Sequence, residues 1–200
     1  MSHKLLQLKQ QLVVKIKQLS SFNFQNNSLY AESLQVSDLM DSYGSPLYIY
    51  SKSQIEFNWN LFKKSFEDHS HLICYAVKAN SNIAVLNILA KLGSGFDIVS
   101  LGELERVIAA GGDPRKCVFS GVAKNENSIK KALEYGIYCF NVESEDELDR
   151  IESVAFSMNM TAPISIRVNP NVDANTHPYI STGLAENKFG VGPDIALAMY

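Results

Sequence analysis

Short apolar runs alternate with longer amphipathic stretches over most of the chain. Five runs are nearly continuous in apolar and β-branched residues, as in strands of a parallel sheet covered on both faces; they are LICYAVK, GFDIVS, CVFSG, IYCFNV and ISIRVNP. Between them lie four stretches with helical spacing, NIAVLNILAKLG, GELERVIAAGG, NSIKKALEYG and EDELDRIESVAF. Three of these end in a glycine that suits a helix C-cap. The pattern predicts a repeated strand–helix unit.

The repeat predicts an α/β fold with about five βα units. The expected strand ends lie 21 to 26 residues apart, at Lys78, Ser100, Gly121, Val142 and Val168. Such repeats form an open doubly wound sheet or a closed barrel. The chain has neither a GxGxxG turn after a strand nor a GxxxxGK loop, which favours the barrel. Because a (β/α)8 barrel takes eight strands and roughly 250 residues, we expect an incomplete TIM-type barrel.

The residues before the repeat have a different pattern. Residues 1–21 mix lysines with apolar residues at helical spacing and predict a helical extension; targeting segments are typically richer in arginine. Residues 22–52 predict a short α/β segment, with extended pieces, a turn at residues 26–28 and a small helix. An amphipathic helix predicted at residues 53–66 opens the partial barrel, residues 53–200.

The composition is that of an ordinary globular protein and excludes several classes of function. Of 200 residues, 46% are hydrophobic and 20% are charged, with a formal net charge of −3. This charge provides no excess of lysine and arginine for a nucleic-acid backbone. No apolar run is long enough to span a membrane. We therefore expect neither nucleic acid nor a membrane as a partner.

Cysteine and histidine positions argue against disulfides and metal. Cys74, Cys117 and Cys139 are odd in number and far apart, which fits neither a disulfide framework nor a CxxC motif. A reducing cytoplasm is the expected location. His69 and His71 stand two residues apart before a strand, where exposed polar positions are more common than metal ligands. No metal site is expected.

Lys78 is the first candidate for chemistry, because reactive groups of a βα barrel gather at the carboxyl ends of its strands. The apolar residues before it would disfavour its charged form, and a neutral amine can attack a carbonyl group. The alternative is a lysine that extends from the strand end to water. Lys78 by itself favours the second interpretation.

Three charged residues near other strand ends are further candidates. Asp97 and Arg167 lie within apolar strands, where each needs a partner of opposite charge or several hydrogen bonds. For Arg167 the competing explanation is a structural salt bridge, and the pattern favours the site. Glu103 follows Ser100 at the spacing of a capping box, which would explain both residues without a functional role. Residues 169–188 form a long polar segment after the Arg167 strand, a length typical of functional loops.

The motifs around these residues resemble a known family. YAVKAN and GFDIVSLGELE are similar to the pyridoxal-phosphate decarboxylases of the alanine-racemase-like barrel fold. SPLYIYS, IRVNP, THPYISTG and NKFG make the N-terminal part of diaminopimelate decarboxylases the most similar branch, from about Phe22 to Tyr200. The resemblance implies a PLP-binding barrel with pyridoxal 5'-phosphate (PLP) as cofactor. It also implies decarboxylation of meso-2,6-diaminopimelate to L-lysine, in lysine biosynthesis.

The resemblance also assigns roles to residues. Lys78 carries the cofactor and is the catalytic residue, while Asp97, Glu103 and Arg167 lie beside the cofactor. The substrate, a small amino acid, is covered by a loop that contains His177, Tyr179, Ser181 and Thr182. Full-length relatives pair a segment equivalent to residues 22–52 with a C-terminal β-domain, and they form homodimers with active sites at the subunit interface.

Later motifs of the family do not occur in these 200 residues. They are a histidine that stacks on the cofactor, a glycine-rich phosphate loop and a glutamate that pairs with the pyridine nitrogen. We therefore expect a truncated N-terminal half that is inactive alone. Two alternatives stay open. One is an ornithine, arginine or carboxynorspermidine decarboxylase, or a racemase, on the same fold; the other is a non-catalytic fragment or partner-binding remnant.

Overall fold

The computed structural model describes residues 21–170 and 189–200, and the chain divides into two units, Met1–Glu67 and Asp68–Tyr200. In the first unit, β1 (Phe22–Gln25), β2 (Ser28–Ala31) and β3 (Leu34–Gln35) form an antiparallel sheet. Helices α1 (Val36–Tyr43) and α2 (Lys52–Ser65) follow. Asn26 and Asn27 turn the chain between β1 and β2 with φ of 48° and 64°, the left-handed region that asparagine tolerates. The predicted turn and amphipathic helix are confirmed.

The second unit is built on five parallel strands in sequential order. They are β4 (Cys74–Ala76), β5 (Gly95–Ile98), β6 (Cys117–Phe119), β7 (Cys139–Val142) and β8 (Ile164–Ile166). The helices are α3 (Ile83–Lys91), α4 (Leu101–Ala109), α5 (Glu126–Tyr135), α6 (Glu145–Ser157) and α7 (Pro193–Met199). Sequential parallel strands with intervening helices are consecutive units of a (β/α)8 barrel. The expected incomplete barrel of about five βα units is confirmed.

The apolar core of this unit lies between the sheet and its helices. One face of the sheet contributes side chains that are fully buried, Phe96, Ile98, Phe119, Phe140 and Val142. The Phe119 and Phe140 rings stack across neighbouring strands with centroids 6.0 Å apart. Buried residues of the helices include Leu86, Leu104, Ile129 and Ile151. Burial of these apolar side chains on one face holds the strands and helices together.

The other face corrects the expectation of strands that are apolar on both sides. Alternate strand positions on this face carry mostly small or polar side chains, namely Cys74, Asp97, Cys139, Asn141 and Ser165, and none of them is buried. We call it the polar face. Strand residues alternate between two sides, and in a barrel one side is the interior. The runs read as continuously apolar because small residues, such as Ala76 and Gly95, separate the polar ones.

Four of the five predicted strand ends lie two residues too far along the chain. The strands end at Ala76, Ile98, Phe119, Val142 and Ile166. After Ala76 the chain enters a 3-10 turn, Val77–Ala79, and Ser100 is already the N-cap of α4. Of the residues between the observed and the predicted ends only Val77 is buried, so the runs continue where the backbone has already left the strand. Only the end at Val142 is placed correctly.

The division between the units places α2 with the N-terminal residues, whereas the predicted barrel segment begins at residue 53. The boundaries at residues 21 and 52 stay predictions, and residues 1–20 lie outside the described part. Across residues 21–170 and 189–200, no helix combines the length and apolar character needed to cross a membrane.

Candidate functional site

Lys78 stands at the carboxyl edge of the sheet, on the 3-10 turn that follows β4. Its neighbour Val77 is fully buried, but Lys78 is exposed. Its amine has no hydrogen bond or ion pair with the described residues. Of the two interpretations of Lys78, the structure agrees with the lysine that extends from the strand end to water and not with a lysine enclosed by apolar residues. Among the described residues, its amine is therefore free for a ligand.

Asp97 lies on the neighbouring strand and anchors a line of hydrogen bonds across the polar face. In the parallel register, Asp97 of β5 pairs with Ala76, two residues before Lys78. Its Oδ1 accepts a hydrogen bond of 2.6 Å from Ser120 Oγ, which in turn accepts one of 2.9 Å from Asn141 Nδ2. Since Asn141 donates to Ser120, the serine proton points to Asp97. The aspartate therefore acts as an acceptor, held in place from β6 and β7.

Arg167, just beyond β8, meets a carboxylate that the sequence analysis did not single out. Its Nη1 lies 2.8 Å from Glu143 Oε2, and the other Glu143 oxygen accepts a 2.8 Å hydrogen bond from Gly121 N–H. The Glu143 side chain is 1% exposed and that of Arg167 is 43% exposed. The expected anionic partner exists, and the remaining donors of the guanidinium face an accessible edge. Glu143 directly follows a strand, just as Arg167 does, and this shared position was the available signal.

A second ion pair, also missed from the sequence, is buried beside the Glu143–Arg167 pair. Lys124 Nζ is 2.6 Å from Glu147 Oε1, with side-chain exposures of 0% and 6%. The same amine donates to the carbonyls of Gly121 and Asn141 and lies 5.6 Å from the centroid of the Phe119 ring. All three ammonium donors are therefore used. Lys124 donates to the Gly121 carbonyl and Glu143 accepts from the Gly121 N–H, so the two residues together fix the loop after β6.

The NKFG motif ends against Arg167. Gly190 has φ 103°, and a Cβ there would lie 2.6 Å from the Arg167 carbonyl oxygen and 3.1 Å from its Cγ. Val191 N–H donates to that carbonyl at 3.0 Å, and Asn169 N–H donates to Val191 O at 2.8 Å. Only a residue without a side chain fits this position. The backbone of residues 189–191 therefore lies directly along the Arg167 segment.

Glu103 occupies the capping position that the sequence predicts. Ser100 Oγ accepts a hydrogen bond from Glu103 N–H, while Glu103 Oε2 accepts one of 2.7 Å from Val99 N–H. Ser144 and Glu147 repeat this arrangement at the start of α6, with Glu143 in the place of Val99. The role of Glu103 beside a cofactor stays a prediction.

The cysteines are inert thiols in this structure. All three are free. Burial raises the pKa of Cys117 to about 12, helped by the negative charges of Cys74 and Asp113. Burial also raises the pKa of Cys74, with Asp97 and Cys139 adding to the effect, and that of Cys139. These thiols are therefore protonated near neutral pH and are poor nucleophiles.

Some predicted residues cannot be placed. The substrate-loop residues His177, Tyr179, Ser181 and Thr182 lie outside the described residues. His69 and His71 are exposed, and the His71 ring bonds to the His69 carbonyl at 2.7 Å. Within the described residues, no three His, Cys, Asp or Glu side chains are grouped to hold a metal ion.

The carboxyl edge of the sheet thus combines the free amine of Lys78, the fixed carboxylate of Asp97 and the partly exposed guanidinium of Arg167. An aldehyde needs an amine without other partners, and an anionic group needs cationic donors. Lys78 and Arg167 meet these two requirements, so the residues present fit PLP.

Comparison with known proteins shows which proteins this chain is similar to. The family described as "Pyridoxal-dependent decarboxylase, pyridoxal binding domain" matches residues 52–200. A diaminopimelate decarboxylase of Vibrio cholerae is 61% identical over 180 residues, which is 90% of this chain and 43% of that protein. One of Haemophilus influenzae is 58% identical over 91% of this chain and 44% of its own length.

Solved structures of diaminopimelate decarboxylases also align with this chain. Diaminopimelate decarboxylase from Helicobacter pylori, complexed with L-lysine, aligns with a TM-score of 0.79 and 49% identity over 82% of this chain and 42% of its own. The enzyme from M. jannaschii, also complexed with L-lysine, aligns with a TM-score of 0.82 and 36% identity over 90% of this chain. The chain spans less than half the length of the relatives it matches.

Proposed function

The chain belongs to the pyridoxal-dependent decarboxylase family through its pyridoxal-binding domain, and on this premise we propose that it forms the lysine-bearing part of a diaminopimelate decarboxylase. The reaction is decarboxylation of meso-2,6-diaminopimelate to L-lysine, with PLP as the cofactor. The observation that carries the proposal is Lys78, a free and exposed amine at the carboxyl edge of the barrel strands. The high identity with named diaminopimelate decarboxylases supports the substrate.

Each residue at the edge has a task in this reaction. When bound, PLP supplies an electron-accepting ring that stabilises the negative charge left as carbon dioxide departs. Lys78 would hold the cofactor through its Nζ and would hold or move a proton at that atom. Asp97, kept an acceptor by Ser120, is placed to accept a hydrogen bond from a donor at this edge. Arg167 binds an anionic group with donors that Glu143 leaves free, and Glu103 completes the predicted set.

We propose the wider assignments from the family resemblance. The substrate is a small amino acid that the segment with His177, Tyr179, Ser181 and Thr182 covers. The assembled enzyme is a cytoplasmic homodimer with active sites at the subunit interface. Residues 22–52 associate with a C-terminal β-domain, and residues 53–200 contribute to the barrel. Neither nucleic acid nor a membrane is a partner.

The test is reductive labelling of the 200-residue chain. The purified chain is incubated with PLP, reduced with borohydride and mapped by peptide mass spectrometry. We expect the adduct selectively on Lys78. Lys78→Arg should abolish selective labelling, whereas Lys116→Arg, at an outer loop, should leave it unchanged. Labelling spread evenly over surface lysines would contradict the proposal.

A competition assay distinguishes meso-2,6-diaminopimelate from the substrates of other decarboxylases on this fold. Meso-2,6-diaminopimelate should displace PLP from Lys78 at lower concentrations than ornithine or arginine, and L-lysine should bind as the product. Equal displacement by all of these amines would favour another decarboxylase on the same fold. The structures of lysine/ornithine and arginine decarboxylases that match this chain are 21% and 22% identical and share only its fold.

A further inference from the structure

Glu143 combines deep burial with complete use of its carboxylate. Its side chain is 1% exposed, and its two oxygens accept separate hydrogen bonds of 2.8 Å, from Gly121 N–H and from Arg167 Nη1. A buried carboxylate is costly unless it is paired and hydrogen-bonded. Glu143 satisfies both conditions and in doing so joins β7 to the segments after β6 and β8.

The backbone of Glu143 is fixed as firmly as its side chain. Its N–H donates to Glu147 Oε2 at 2.8 Å, and the other oxygen of Glu147 pairs with the buried Lys124. The carboxylate therefore has little freedom to follow a moving guanidinium. Its position is set by the protein and not by Arg167.

Arg167 is restrained from two directions. Glu143 holds one terminal nitrogen, and the Cα of Gly190 lies against the Arg167 carbonyl and side-chain stem. The guanidinium still has several N–H donors beyond the one that Glu143 uses, and its side chain is 43% exposed at the carboxyl edge. Arg167 is thus arranged as a preoriented anion binder, with its free donors directed by a fixed partner.

We propose that Glu143 is a positioning residue, which orients Arg167 toward the anionic cofactor through its buried carboxylate. This inference rests on the proposed function. Glu143 does not touch the ligand: it fixes the rotamer of Arg167 before the ligand arrives and so reduces the ordering that binding requires. Loss of such an outer partner typically weakens a site by roughly tenfold or more.

The experiment is a double-mutant cycle on PLP binding by the 200-residue chain. The fraction of Lys78 labelled after borohydride reduction is measured against PLP concentration for the unaltered chain, Glu143→Gln, Arg167→Met and the double variant. Glutamine keeps the volume but has one oxygen for two donors, so its NH₂ group must face one of them. We expect Glu143→Gln to raise the half-saturating PLP concentration about tenfold, and to have no further effect once Arg167 is methionine.

Folding is followed by circular dichroism in the same samples. Glu143→Asp keeps the charge and both oxygens but shortens the reach, and it replaces Glu143→Gln in the cycle if the glutamine variant unfolds. Glu134→Gln, an exposed glutamate on α5, is the matched control and should not change labelling. An equal shift from Glu143→Gln with and without Arg167 would show a merely structural role and overturn the inference.

The two proposals fail in different ways. If the unaltered chain shows no selective labelling of Lys78, the proposed function fails and the role of Glu143 with it. If Lys78 is labelled normally and the cycle is additive, only the positioning role of Glu143 is overturned.

Discussion

At the residue scale, the start of β5 leaves no room for a side chain. A Cβ added to Gly95 would lie 2.6 Å from the Lys116 carbonyl oxygen and 2.8 Å from Cys74 Sγ. The first of these atoms is backbone and cannot rotate away. Glycine is therefore required here by space and not by backbone angle.

Gly95→Ala should lower the free energy of unfolding by about 1–3 kcal/mol, because overpacking forces the neighbouring strand to shift. Urea unfolding followed by circular dichroism measures the change. The control is Gly102→Ala on α4, where nothing lies within 4 Å of the added Cβ; this change should not lower stability. Equal loss in the two variants would contradict the packing argument.

Thiol reactivity gives a second prediction for single residues. Burial raises the pKa of Cys117 to about 12, so at pH 8 almost none of it is thiolate in the folded chain. We expect iodoacetamide to label Cys117 far more slowly in the folded chain than in urea, where its pKa returns to about 8.5. Peptide mass spectrometry after timed quenching gives both rates. Rapid labelling of the folded chain would show that the burial is incomplete.

At the scale of elements, the loops after β6 and β7 are joined by charge. The Lys124 and Glu147 pair ties the loop before α5 to the first turn of α6. Buried pairs contribute little net stability over an apolar replacement, but removing one partner leaves an uncompensated charge. The positions of the loop before α5 and of the first turn of α6 therefore depend on both Lys124 and Glu147.

Lys124→Met should destabilise the chain by about 3–5 kcal/mol, since the Glu147 carboxylate would remain buried without a counter-charge. Lys131→Met is the matched control, because Lys131 pairs with Glu134 on the surface of α5. The unfolding midpoint of this control variant should stay unchanged. Thermal and urea unfolding measure both. Similar midpoints for the two variants would mean that Lys124 is hydrated in solution.

At the scale of the whole molecule, the proposed function gives the barrel strands of this chain one part of a catalytic centre. The described sheet has five strands, and the chain covers 43% of its relative from Vibrio cholerae. Electron withdrawal and phosphate binding by PLP enzymes need protein groups around the whole cofactor. Lys78 and Arg167 provide only two of those contacts.

The 200 residues by themselves should therefore release no carbon dioxide from meso-2,6-diaminopimelate at an ordinary enzymatic rate, even where Lys78 is labelled by PLP. A radiometric assay with carboxyl-labelled substrate tests this, with a full-length relative as the positive control. Turnover at an ordinary rate would show that the missing contacts are dispensable.

The sequence by itself determined the βα repeat, the five strands, the hairpin turn and the candidate residues in or near the strand ends. Each depends on neighbours in the chain, through apolar periodicity, turn residues or a motif such as YAVKAN. The partners of those residues were decided only by the tertiary structure. Glu143 meets Arg167, and Ser120 meets Asp97, because parallel register aligns segments more than 20 residues apart. The two sides of the sheet were also decided there, since only the strand pairing shows which alternate side chains share the polar face.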